Sequence, residues 1–147
     1  MSTHLRVYGD PAPQGSKRHV GNGVMVESSK RVKPWRQAVT TAAADAAGAY
    51  TGPVRVDCTF LIRRPKGHWG TGRNTATLKP SAPLYVTSRA AGDLDKLLRS
   101  TFDGLADGGL LARDDLVVIV TASKCYCNPG SAPGALITIR PAEETQP

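Results

Sequence analysis

LVVIVTASKCY, residues 116–126, carries most of what the chain says about its fold. Its first five side chains, Leu116 to Val120, are aliphatic without a break. A half-exposed strand would alternate, so this run predicts a central strand covered on both faces. Upstream, the segment 93–106 has Leu94, Leu97, Leu98, Phe102 and Leu105 at helical spacing, and the Asp-Gly-Gly at 107–109 marks its stop. Further out, residues 5–9 (LRVYG), 54–64 (VRVDCTFLIRR), 83–88 (PLYVTS) and 134–140 (GALITIR) read as strands. Residues 33–50 (KPWRQAVTTAAADAAGAY) read as a first helix with Pro34 in its opening turn. The Asn22-Gly23 pair within 20–29 (VGNGVMVESS) fits a hairpin. Strands interleaved with two helices predict an α/β (α+β) fold on one mixed sheet.

At 147 residues the chain is expected to form a single domain, residues 1–140, followed by a polar tail at 141–147. Nineteen Lys and Arg against twelve Asp and Glu leave a formal charge of +7, and the basic residues cluster at 15–18 (GSKR), 28–33 (SSKRVK) and 63–68 (RRPKGH). Such clusters attract phosphate by releasing counterions, although a small protein can also be basic with no polyanionic partner. The long Gly- and Pro-rich segment 65–83 carries Lys66, Trp69 and Arg73 and is expected to be either functional or disordered. Trp69 either stacks on a base or folds back on the core. No stretch approaches the ~18 apolar residues of a membrane span, and the opening residues lack a signal-peptide core, so a cytoplasmic protein with no membrane partner is expected. Three cysteines are too few for a disulfide framework, and the three histidines are too scattered to complete a zinc site with Cys125 and Cys127.

Asp93 and Asp95 stand at the start of the second predicted helix, and Asp95, Arg99 and Asp103 line one stripe at four-residue intervals. On the helix alone a structural reading suffices: acids favour a helix N-terminus, and Asp95 and Arg99 make an ordinary surface ion pair. Asp114 and Asp115, adjacent and directly ahead of an apolar strand, shift the balance. Two neighbouring carboxylates repel, and a cation relieves them. Mg²⁺ is hard, takes oxygen ligands and keeps several waters, so a few carboxylates suffice to hold it. Surrounding Lys and Arg would bring in a phosphodiester that the acids alone would repel, which points to metal-assisted phosphodiester hydrolysis.

These segments resemble the RusA family of Holliday junction resolvases. Residues 92–105 (GDLDKLLRSTFDGL) are similar to the family's Asp-x-Asp-Asn-x-x-Lys helix, 113–118 (RDDLVV) to its Asp-Asp-x-Gln-Val segment, and 123–126 (SKCY) to the Lys-bearing strand after it. The likeness extends to 7–18, 63–74 and 78–83. It implies a homodimeric, Mg²⁺-dependent endonuclease, phage or prophage encoded and working in a bacterial cytoplasm, that resolves four-way junctions by paired symmetric cuts. Asp93, Asp95 and Asp115 match the metal-binding catalytic carboxylates, and Arg99 stands where the family has its catalytic Lys. Asp114, Lys96 and Lys124 fall just behind these. Lys17, Arg18, Lys30, Arg31, Lys33, Lys66, Trp69 and Arg73 are the candidate DNA contacts. Four departures stand out: Lys96 for Asn, Arg99 for Lys, Val117 for Gln, and Gly92 for Pro, the last expected to loosen the lead-in to the helix. Two alternatives stay open, a non-catalytic nucleic-acid-binding protein and an endonuclease acting mainly on other branched DNA.

Overall fold

A computed structural model describes residues 1–15, 17–19, 25–27 and 30–143. Its main sheet has four strands, β1 (Thr3–Tyr8), β4 (Val54–Ile62), β5 (Val117–Tyr126) and β6 (Gly134–Pro141), in the order β1-β6-β4-β5. β6 pairs antiparallel with both β1 and β4, whereas β4 and β5 run parallel, so the sheet is mixed as expected. Parallel neighbours cannot be joined by a tight turn. Here the crossover consists of the long segment after β4 and the helix α2 (Leu94–Asp107). Two short strands, β2 (Lys17–His19) and β3 (Met25–Glu27), pair antiparallel as a ribbon; the Asn22-Gly23 turn lies outside the described residues.

Helix α1 (Val32–Asp45) and α2 cover one face of the sheet. Trp35 and Val39 of α1, Leu97 and Leu105 of α2, Val56 and Phe60 of β4, and Ile137 and Ile139 of β6 meet in one fully buried core. The two helices approach closely because α2 presents Gly104, where an added Cβ would come within 2.8 Å of the Val39 side chain. Trp35 donates its indole N–H to the Thr101 hydroxyl at 3.1 Å, which satisfies the one polar atom of the largest core side chain. α1 stops at Asp45 rather than continuing toward Tyr50, because Tyr50 is drawn off to bridge Leu111 beside the sheet.

Two sequence expectations are corrected. β5 is not central but an edge strand, with Val118, Ile119 and Val120 exposed at 59%, 42% and 45%. Residues 83–88 do not form a strand of the sheet; Tyr85 alone bridges Cys125, with Val86 N–H donating to the Lys124 carbonyl and Tyr126 N–H to that of Leu84. That bridge covers the edge of β5 at 124–126 and leaves 117–123 without a neighbour on that side among the described residues. The segment 65–83 is ordered: two 3-10 turns and a Trp69–Leu78 bridge fold it into a compact excursion. Arg64, nine-tenths buried, anchors its base by donating to the carbonyls of Cys127 and Pro83, each at 2.7 Å.

Candidate active site

The lead-in to α2 is a 3-10 turn, Arg89–Ala91, followed by Gly92. Gly92 does not loosen this region, contrary to the sequence expectation. It has φ +91°, and a Cβ there would stand 2.5 Å from the Pro13 ring, so only glycine fits. Its carbonyl accepts from the Lys124 ammonium at 2.8 Å, tying the end of β5 to the start of α2. The segment before β2 lies along α2 as well: Gln14 N–H donates to the Lys96 carbonyl, and the Ser100 hydroxyl donates to the Ala12 carbonyl. Arg31 reaches from the start of α1 to the Ala90 carbonyl at 2.8 Å. Asp93 is therefore held on a lead-in fixed from three sides.

Asp93 occupies the N-cap position with extended backbone, yet its side chain makes no capping hydrogen bond. An N-cap aspartate ordinarily spends an oxygen on a free amide of the first turn. Asp93 and Asp95 are both exposed. Asp95 pairs loosely with its neighbour Lys96 at 3.4 Å and not with Arg99. Arg99, exposed one turn further on, is in no ion pair among the described residues. This end of α2 thus presents an Asp93 that caps no amide and an Asp95 paired only with Lys96 among the described residues, with Arg99 one turn on and Lys124 bound to the Gly92 carbonyl of the lead-in.

The other end is arranged differently. α2 and β5 run in opposite senses, so β5 begins near the C-terminal part of α2 and ends at its N-terminus. Asp114 and Asp115 sit in the short turn Asp114–Leu116 that starts β5. Asp114 neighbours Asp103, which the sequence had placed only on a stripe. Burial raises the Asp103 pKa; Arg36 and a hydrogen bond with Gln14 oppose the shift, and the neighbouring Asp114 adds to it. Asp115 points away to a 2.8 Å ion pair with Arg113. From Asp93 to Asp103 is ten residues of helix, about 15 Å. Asp93 and Asp95 stand two residues apart at the helix start, and Asp115 does not join them in one cluster among the described residues. No group of three acidic, His or Cys side chains among the described residues is placed to hold one metal ion.

The candidate DNA contacts divide by position. Arg31 adjoins the acidic end of α2, and Lys30 and Lys33 lie exposed beside it on the same helix start. Lys66 and Arg73 are exposed on the 65–83 excursion, and Trp69 is half-buried at its base. Lys17 and Arg18 belong to the β2–β3 ribbon, and their side chains lie outside the described residues. Sequence reasoning passed over Arg63, Arg64 and Asp10 as individuals, though the Arg pair was visible as part of a basic cluster. The Cys58 thiol is buried and pushed up to about 12, which makes it inert packing.

The site is thus a pair of exposed carboxylates at a helix start, with basic residues around them, on a mixed sheet covered by two helices on one face. Residues 9–140 match the family model described as endodeoxyribonuclease RusA, and the chain belongs to that family. A search of curated proteins found no match. Among the described residues no helix is long and apolar enough to cross a membrane.

Proposed function

We propose that this protein is a Mg²⁺-dependent endonuclease that resolves four-way DNA junctions as a homodimer, with each active site built from two copies of the chain. The observation that carries the reading is Asp93: an N-cap carboxylate that leaves its helix amides uncapped is available for something outside the chain. The oxygens of Asp93 and Asp95 suit a hard divalent ion, and the weak Lys96 contact to Asp95 can be displaced. A third ligand has to come from elsewhere, because Asp115 lies at the opposite end of α2.

The free edge of β5 supports the source. Residues 117–123 offer unpaired backbone beside exposed Val118, Ile119 and Val120, a surface that soluble proteins cover. Antiparallel pairing with the same edge of a second copy is self-complementary across a twofold axis. It sets the start of one β5 against the end of the other. Asp115 of one copy then approaches Lys124, Asp93 and Asp95 of its mate, which assembles three carboxylates that neither chain holds alone. Two such sites, related by the twofold, match the two symmetric cuts that a junction requires.

Mg²⁺ bound there would lower the pKa of an attacking water and offset charge on the scissile phosphate. Arg99, on the Asp95 stripe and in no ion pair among the described residues, would stabilise the charge that develops on the phosphate. Lys124 holds the lead-in through the Gly92 carbonyl and adds positive charge. Arg31, Lys30, Lys33, Lys66 and Arg73 engage the backbone of the arms, which positions DNA without reading sequence.

The test is cleavage of a labelled four-way junction with and without Mg²⁺. Expected are paired symmetric nicks that need the metal and vanish in Asp93→Asn while junction binding persists. Binding without Mg²⁺-dependent cutting would reduce the protein to a DNA-binding role. Faster cutting of flaps or three-way branches in the same assay would replace the junction as substrate.

A further inference from the structure

Beside the lead-in to α2 lies a cavity of about 390 Å³ that the carboxylate chemistry does not use. Its apolar lining comes from Pro11, Ile62, Ala91 and Tyr126, and Arg31 and Arg63 flank it. Ala91, Tyr126 and Pro11 are buried, whereas Arg31 and Arg63 are exposed. Arg63 is held by Asp10 through a 3.2 Å ion pair, and Asp10 lines the same cavity. Arg64 also lines it; its Nε and Nη1 are engaged by Cys127, Pro83 and His68, but Nη2 has no hydrogen bond among the described residues. A nine-tenths buried guanidinium with an unspent edge is costly unless something anionic or carbonyl-bearing meets it.

We propose that this cavity receives one unstacked nucleotide of the cleaved strand and thereby selects where the cut falls, an inference that rests on the endonuclease reading above. The lining calls for a ligand that is flat and apolar in one part and anionic in another. A nucleotide has both parts: a base to lie on the proline and aliphatic surface, and a phosphate for the arginines. Cavities of this size suit such a ligand. Enzymes that must reach into a duplex take bases out of the stack into pockets of this kind, and the cost is least at a branch, where pairing is already broken. Location ties the pocket to cleavage. Ala91 in its wall precedes Asp93 by two residues, at most about 7 Å of chain. A nucleotide seated there fixes the register of the strand across the carboxylates. Asp10, the acidic group at the pocket, accepts from the exocyclic amine that adenine, guanine and cytosine carry and thymine lacks, which gives the pocket a means of preference.

The test uses the full-length protein and a four-way junction with 2-aminopurine placed in turn at each nucleotide flanking the mapped cut, in EDTA so that the strand stays intact. Binding is expected to raise the fluorescence at one flanking position by roughly threefold or more, as when a base leaves its stack. Arg63→Ala removes charge and Ala90→Trp fills the pocket from an exposed position; both should abolish the rise. Each should weaken junction binding by no more than about fivefold, the share of one phosphate contact. With Mg²⁺ restored, both variants should still nick, but at scattered positions. No rise at any flanking position in the wild type, or a rise that survives both variants, overturns the assignment while leaving the endonuclease reading intact. A wild type that neither binds nor cuts the junction overturns both.

Discussion

The two ends of α2 are built from the same residue type and differ in what the chain does with it. At the C-terminal part, Asp103 is half-buried, with burial and Asp114 raising its pKa and Arg36 and Gln14 lowering it. At the N-terminal end, Asp93 and Asp95 are exposed, and the cap position is left unspent even though its backbone is ready for it. A helix gains from a capped first turn, so leaving Asp93 free costs stability at an end that several contacts otherwise fix. Gly92, Lys124, Arg31 and Gln14 all brace that end through backbone atoms, and none engages the Asp93 carboxylate. Carboxylates that are rigidly held and unsatisfied are suited to an exogenous cation; carboxylates that are braced and paired are part of the framework.

Substitutions at the two ends should therefore separate. Asp93→Asn and Asp95→Asn are expected to reduce junction cutting on the order of a thousandfold, with binding retained in a gel-shift assay and the melting temperature unchanged or slightly raised. A large loss of stability in either would make these residues structural and remove the contrast. Next in size is Val120→Lys, which places a charge in the middle of the free β5 edge. It should turn a dimer into a monomer by light scattering and lower cutting by about a hundredfold or more, because a site shared between copies is lost with the dimer. Full activity in a monomeric variant would show that one chain suffices. Gly92→Ala meets both a positive φ and the Pro13 ring; destabilisation of about 1–3 kcal/mol is expected in denaturant unfolding, with a fall in cutting because the lead-in shifts.

The smallest effect belongs to Asp103. Its pKa is raised in the folded protein, so its contribution to stability is present when it is protonated and is lost as pH rises through the folded-state value. Asp103→Asn keeps the contact with Gln14 and removes the repulsion from Asp114. It should raise the melting temperature at pH 7 by about 2 °C, and the gain should shrink toward zero below the ordinary carboxylate range. A variant less stable at pH 7 would mean that the Arg36 attraction outweighs burial.

Much of this was legible in the sequence. The spacing of Leu94, Leu97, Leu98, Phe102 and Leu105 marked α2 to within a residue at each end, because an amphipathic helix must repeat with its own period. The mixed sheet and the acidic start of α2 were also visible. The position of β5 was not. An unbroken aliphatic run reports that a strand is covered, but not by what, and β5 presents Val118 to Val120 to solvent within its own chain. If a second copy covers them, the signal for burial was right and only its source was misread. That Asp115 stands past the far end of α2 is implicit in the predicted helix 93–106, but the resemblance groups it with Asp93 and Asp95 regardless of that spacing. Gly92 read as loose because glycine is flexible in isolation; the Pro13 contact that demands it comes from a segment far earlier in the chain. The pairing of Asp103 with Asp114 and the Arg63–Asp10 contact likewise depend on tertiary placement.

The proposed shared active site can be tested by mixing two inactive variants. Asp93→Asn and Asp115→Asn homodimers each have both sites damaged, whichever way the site is built. After subunit exchange, a mixed dimer with sites made across the interface carries one site with both substitutions and one with neither. Mixing should therefore restore Mg²⁺-dependent nicking of a four-way junction to roughly a quarter of wild-type sites, as unpaired single nicks without full resolution. Mixtures that stay as inactive as the separate variants, with subunit exchange confirmed by mass, would place each site within a single chain and contradict the shared arrangement.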